Sequence, residues 1–160
     1  MPPEVLPALR VHHVSVSVPD LEIALQWYGS ILGFRLEHRF EIPALPARAA
    51  FVERDGARME IWEAGGAARV PDIRREPNTD LREGGTKHVA FTVGDLQSCL
   101  ERLVALGVDI AAVQRDPHAP MAREANPSDR AHKTAFAAFI RDPGGTLIEL
   151  LDRDKVGASA

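Results

Sequence analysis

Four side chains stand at matching places in this 160-residue sequence: His13, Glu60, His88 and Glu149. Two imidazoles and two carboxylates suit a divalent cation. Imidazole nitrogen binds zinc, nickel, iron or copper, while carboxylate adds harder oxygen donors and leaves positions open for water or substrate. An ion held in this way polarises a carbonyl or enolate oxygen, and a neighbouring carboxylate moves a proton. Taken singly, each residue has a plainer reading. A lone His on a strand is more often a surface or satisfied group, and a Glu between apolar residues is usually the polar side of an edge strand. Their recurrence in register is what favours the metal.

That recurrence belongs to an internal repeat. Residues 13–21, HVSVSVPDL, match residues 88–96, HVAFTVGDL, at five of nine positions. After each Asp-Leu comes an amphipathic stretch ending in Leu32-Gly33 or Leu106-Gly107. Later, Arg54-Asp55-Gly56 precedes Met59-Glu60-Ile61, and Arg141-Asp142-Pro143-Gly144-Gly145 precedes Ile148-Glu149-Leu150. Each copy reads as a strand, a helix and three strands, which predicts an α+β fold of two βαβββ modules.

The first copy sets Val14, Val16 and Val18 against His13, Ser15 and Ser17, the period of a strand over 11–18. Asp20 is a suitable N-cap for a helix whose stripe is Leu21, Ala24, Leu25, Tyr28 and Leu32, with Gly33 as its stop. Strands follow at 34–42, 48–54 and 57–63, the last two joined by an Asp55-Gly56 turn. In the second copy the predicted strands are 87–93, 109–115, 135–141 and 146–152, with a helix at 95–106. By alternation all four candidate ligands face away from the helix-packed core, and a curl of the mixed sheets would wrap that face around an open cavity containing the metal. His12, His38, His118 and His132 have no repeat partner and are read as solvated or loop residues, His12 on the wrong face to join His13. Trp62 shares the face of Glu60 and is a candidate cavity wall.

The organisation predicted is an arm at 1–10, one domain at 11–152 (modules 11–63 and 87–152 joined by a linker at 64–86) and a tail at 153–160. The Gly- and Pro-rich linker and a second irregular segment, 116–133, are expected to edge the cavity. A formal net charge of -4 lacks the clustered cations of a nucleic-acid binder. No run of about 18 apolar residues implies a membrane span, and no basic-then-apolar leader is visible, so a cytoplasmic protein is expected. Cys99 is the single thiol. It lies among Leu96, Leu100, Leu103 and Val104 and is predicted to be a buried structural residue.

HVSVSVPDL, WYGSILGF, RMEIWE, TKHVAFTVGDL and FIRDPGGTLIELLD together resemble the vicinal oxygen chelate superfamily, over residues 11–152. The resemblance implies paired βαβββ units forming an open barrel, closed within one chain or by exchange between two, with a homodimer the common arrangement. His13, Glu60, His88 and Glu149 fall on the metal-ligand positions of glyoxalase I. The implied activity is that of a glyoxalase-like lyase or isomerase: Glu149, alternating with Glu60, moves a proton through a metal-stabilised enediolate of a small carbonyl or thioester substrate. The divalent ion would be nickel, zinc, cobalt, manganese or iron. Bacterial glyoxalase I has an Arg four residues beyond the first ligand, where it helps to hold the glutathione carboxylate, and here Ser17 stands there. Arg115, Arg123, Arg130 and Lys133 are the cations that could serve instead. A ferrous dioxygenase and a non-catalytic drug-binding protein are the competing readings within the superfamily.

Overall fold

A computed structural model describes residues 9–132 and 134–157. Most of the predicted arm, and Lys133, lie outside them. The elements run in the predicted order: β1 (Val14–Ser17), α1 (Leu21–Ser30), β2 (Arg35–Ile42), β3 (Ala47–Arg54), β4 (Ala57–Ala64), β5 (Val89–Val93), α2 (Leu96–Ala105), β6 (Ile110–Gln114), β7 (Ala137–Arg141), β8 (Leu147–Asp152) and a short α3 (Arg153–Val156). They form two four-stranded sheets of identical topology, β1-β4-β3-β2 and β5-β8-β7-β6. In each, the first strand runs parallel to the last and the other pairings are antiparallel.

The repeat extends to the caps. Asp20 accepts from the Ile23 amide and Asp95 from that of Ser98. The first helical amides of α1 and α2 donate in turn to Glu63 and Asp152, each three residues beyond a candidate ligand. A carboxylate at a helix N-terminus satisfies an orphan donor and complements the dipole. Each helix is thereby fastened to the strand that carries its module's Glu. The β3–β4 turn has the positive φ at both Asp55 and Gly56 that a two-residue hairpin requires.

Alternation sets the two faces of the sheets. Val16, Val18, Met59 and Ile61 from the first sheet and Ala138, Ile140, Ile148 and Leu150 from the second join α1 and α2 in one continuous core. Phe34 meets Phe91 edge-on, with ring centres 5.9 Å apart, and the buried Tyr28 hydroxyl donates to Asp142 across 3.1 Å. The two modules thus share their apolar faces, and a smaller cluster of Ala111, Phe139 and Leu147 lies on the other side of the second sheet.

Two expectations need correction. Both sheets are open and end in edge strands, so no curl carries the faces bearing the four candidates around one cavity within the chain. Cys99 is only partly buried, because the inward stripe of α2 is Leu96, Leu100 and Leu103, and Cys99 lies on its flank. The linker is a strap tied down by a buried arginine: Arg141 pairs with Asp109 at 2.9 Å and with Glu76, and donates to the Arg75 carbonyl. The Val70 amide adds a bond to the Gly144 carbonyl. Among the described residues no helix is long and apolar enough to cross a membrane.

Candidate metal centre

His13 immediately precedes β1, and Glu60 lies in β4. The parallel register sets Ser15 opposite Glu60, bringing the preceding imidazole over the carboxylate. His13 Nε2 is 3.3 Å from a Glu60 oxygen. The second module repeats this: Ala90 of β5 is paired with Glu149 of β8, and His88 Nε2 is 3.1 Å from a Glu149 oxygen. Both carboxylates are largely screened from water, with side chains 14% and 17% exposed, while both imidazoles keep about a third of their surface open.

Imidazole nitrogen and carboxylate oxygen are donors that a divalent ion accepts. With bonds of about 2.1 Å to nitrogen and oxygen, neighbouring ligand atoms at angles between a right angle and a tetrahedral one lie roughly 3.0 to 3.4 Å apart. Each His–Glu separation has the length of one edge of such a shell. The structure joins the four candidates as two pairs. Among the described residues no three His, Cys, Asp or Glu side chains gather closely enough to hold one ion.

Each pair carries an aromatic lid that sequence reading missed. Phe51 is the cross-strand partner of Glu60 and meets the His13 ring edge-on at 5.2 Å; Phe139 is the partner of Glu149 and meets His88 at 5.1 Å. The signal was present, since Ala49-Ala50-Phe51-Val52 and Ala137-Ala138-Phe139-Ile140 are the same motif in both copies. The first face is the more aromatic: Phe40 stacks on Phe51 and meets the Trp62 ring at 5.2 Å, which places Trp62 on this face as predicted.

His12 does reach His13, against expectation. The regular strand starts only at Val14, so alternation does not govern the preceding residues. His12 Nδ1 is 2.7 Å from His13 Nδ1, and Arg58 Nη1 donates to His12 Nε2 at 2.6 Å. Arg58 also lies over the Phe51 ring, 4.5 Å from its centre. His38 is exposed but lies 5.1 Å from the Phe51 ring, whereas His118 and His132 are exposed loop residues. Of the cations suggested for an anionic substrate, the three among the described residues are engaged elsewhere. Arg115 is clamped to Glu124, Gln97 and the Pro127 carbonyl, Arg130 to Glu101, and Arg123 faces Asp109 at 3.8 Å.

A family model described as the Glyoxalase/Bleomycin resistance protein/Dioxygenase superfamily matches residues 10–150. The chain belongs to this superfamily. As a vicinal oxygen chelate protein it is 29% identical over 143 residues to a probable lactoylglutathione lyase of Synechocystis, covering 87% of this chain and 92% of that one. It is 28% identical over 151 residues to a lactoylglutathione lyase of Escherichia coli O157:H7, covering 93% and 96% respectively. Among solved structures it resembles glyoxalase I of Leishmania major, a trypanothione-dependent enzyme (TM-score 0.65, 21% identity, 93% of this chain and 90% of that one). A glyoxalase family protein of Enterococcus faecalis shares the fold at TM-score 0.66 and 18% identity, covering 89% and 97%. These likenesses agree with a glyoxalase-type enzyme at the level of the superfamily.

Proposed function

We propose that this chain is a metal-dependent glyoxalase-type lyase or isomerase that relocates a proton on a small carbonyl or thioester substrate. The observation that carries the reading is the pair of repeat-related His–Glu contacts, each with the spacing of adjacent metal ligands. His13, Glu60, His88 and Glu149 would hold one divalent ion. When bound, the ion supplies positive charge to a developing oxyanion.

The chain's own groups account for the rest. Glu149, or Glu60 in the opposite sense, would take the proton from the carbon beside the carbonyl and return it to the neighbouring carbon. Phe51 and Phe139 each cover one side of an imidazole with an apolar ring, which lowers the local dielectric and strengthens the electrostatics of the site. Phe40 and Trp62 offer a wall for the apolar part of the substrate.

The two pairs sit on outward faces of the shared core, so a second copy completes the centre. Each metal would be shared between His13 and Glu60 of one protomer and the partner's His88 and Glu149, giving a closed dimer with two sites. The L. major and E. coli relatives make hemithioacetals of thiol cofactors the first substrates to assay.

The test has two parts. Elemental analysis of the purified protein should find about one divalent ion per chain, lost in Glu60→Ala. Glu149→Gln should keep substrate binding and lose turnover by a factor on the order of 10³. Full turnover in Glu149→Gln would remove that residue's role, and iron with oxygen consumption would replace the lyase by a dioxygenase.

A further inference from the structure

On the core side of both sheets, where the modules meet, lies a cavity of about 820 Å³ that none of the four candidate ligands lines. Its floor is Leu32, Phe34, Phe91, Leu103 and Leu150, all part of the shared core. Leu150 follows Glu149 on β8 and points to the other face of the sheet, so a sheet separates this cavity from the His88–Glu149 pair. The volume is that of a small-molecule pocket.

The rim is cationic: Arg54, Arg102 and Arg153 line it together with one acid, Asp55. Arg54 is already engaged, its Nε with Asp55 and its Nη1 with the Leu32 carbonyl at the end of α1. Arg102 makes only a 3.5 Å contact with the Cys99 sulfur and feels the field of Asp95, whose carboxylate is taken up by Ser98. Arg153 has no hydrogen bond or ion pair with any described residue. Two guanidinium groups without a carboxylate of their own therefore stand at the mouth of an apolar cleft. A guanidinium pairs best with a carboxylate in two-pronged geometry.

We propose that this cavity is a second binding site, for a small amphipathic carboxylate whose apolar body lies on Phe34, Phe91 and Leu103 and whose headgroup is held by Arg102 and Arg153. It needs neither the metal nor a second protomer, so it stands or falls apart from the proposed catalysis.

Cys99 lines the same cavity and is the chain's single thiol, so it reports occupancy. Iodoacetamide alkylates it by forming a sulfur–carbon bond, with loss of iodide and release of the thiol proton, and mass spectrometry follows the rate. Saturating decanoate should slow alkylation of the full-length protein about tenfold, and isothermal titration should give about one equivalent bound. The double variant Arg102→Gln/Arg153→Gln should bind decanoate at least about tenfold more weakly with an unchanged melting temperature, since both side chains are exposed; either single variant should give part of the effect if the double one fails to fold. Decanol and decylamine should protect Cys99 far less. Undiminished binding by the folded variants, equal protection by decanol, or decanoate binding without protection of Cys99 would each overturn the proposal.

Discussion

His12 Nδ1 lies 2.7 Å from His13 Nδ1, closer than His13 comes to Glu60. Because Arg58 can only donate, His12 Nε2 accepts, the His12 proton sits on Nδ1, and His13 Nδ1 must accept in turn. The His13 proton then occupies Nε2, the atom that faces Glu60 and would bind the ion. Arg58→Met lets His12 take the other tautomer and accept from His13 Nδ1–H, leaving Nε2 bare. Metal affinity should therefore rise above the parent's, roughly tenfold in Arg58→Met and less in His12→Phe, which also frees His13 Nδ1 to carry the proton but loses the contact that orients the ring. Competition against a chromogenic chelator measures both, and identical affinities would mean that this chain of contacts does not set the tautomer.

If each centre takes one pair from each protomer, two inactive variants complement one another. His13→Ala and His88→Ala should each be inactive alone. After unfolding and refolding together, half of the dimers are mixed and each mixed dimer has one intact centre, so about a quarter of the wild-type activity should return. No recovery, with mixed dimers confirmed by mass spectrometry, would place all four ligands around an ion within one chain.

Burial raises the pKa of Asp142 above its ordinary 3.8, against the hydrogen bonds from Thr146 and Tyr28 that favour the charged form. Tyr28 is itself pushed well above 10.0 by burial, so its hydroxyl keeps its proton and donates at neutral pH. A carboxyl whose folded value is raised stabilises the fold below pH 3.8 and loses that contribution as the pH climbs through the folded value. Asp142→Asn keeps an acceptor for the Thr146 amide and turns the Tyr28 contact round, Nδ2 donating to the hydroxyl oxygen, without the buried charge, so thermal unfolding should depend less on pH above 3.8 and the melting temperature should rise at neutral pH. Tyr28→Phe should cost about 1 to 3 kcal/mol, because it removes a donor from a buried acceptor.

Arg141 is 5% exposed, whereas its partners Glu76 and Asp109 are about half exposed. Replacing it with Leu frees acids that water can solvate, so global stability should change little while the strap loosens. Limited proteolysis should cut between residues 70 and 84 in Arg141→Leu far faster than in the parent protein, and unchanged cutting would show that the Val70–Gly144 bond alone holds the strap.

The contrast between Asp55-Gly56 and Arg141 shows how far the sequence reaches. The hairpin, the two helices and the strand alternation are local patterns, and the structure follows them to within a residue or two over most of β2, β3, β4 and α2. The His–Glu pairs were legible because a parallel register repeats in both copies. The grip of Arg141 on the strap was not, since it joins residues 65 positions apart by side chains that carry no period. His12 was misplaced for a related reason: alternation was extended upstream of Val14, where no ladder enforces it.

The seam between the modules has one more consequence. Among the described residues no backbone hydrogen bond joins 11–63 to 87–152; the halves are joined there by side chains such as Tyr28 with Asp142 and Phe34 with Phe91. Each sheet keeps its own ladder although the core is shared, and we expect amide exchange to resolve a separate opening energy for each half. Parting the halves sacrifices packing but no ladder, so every strand stays paired when the seam opens.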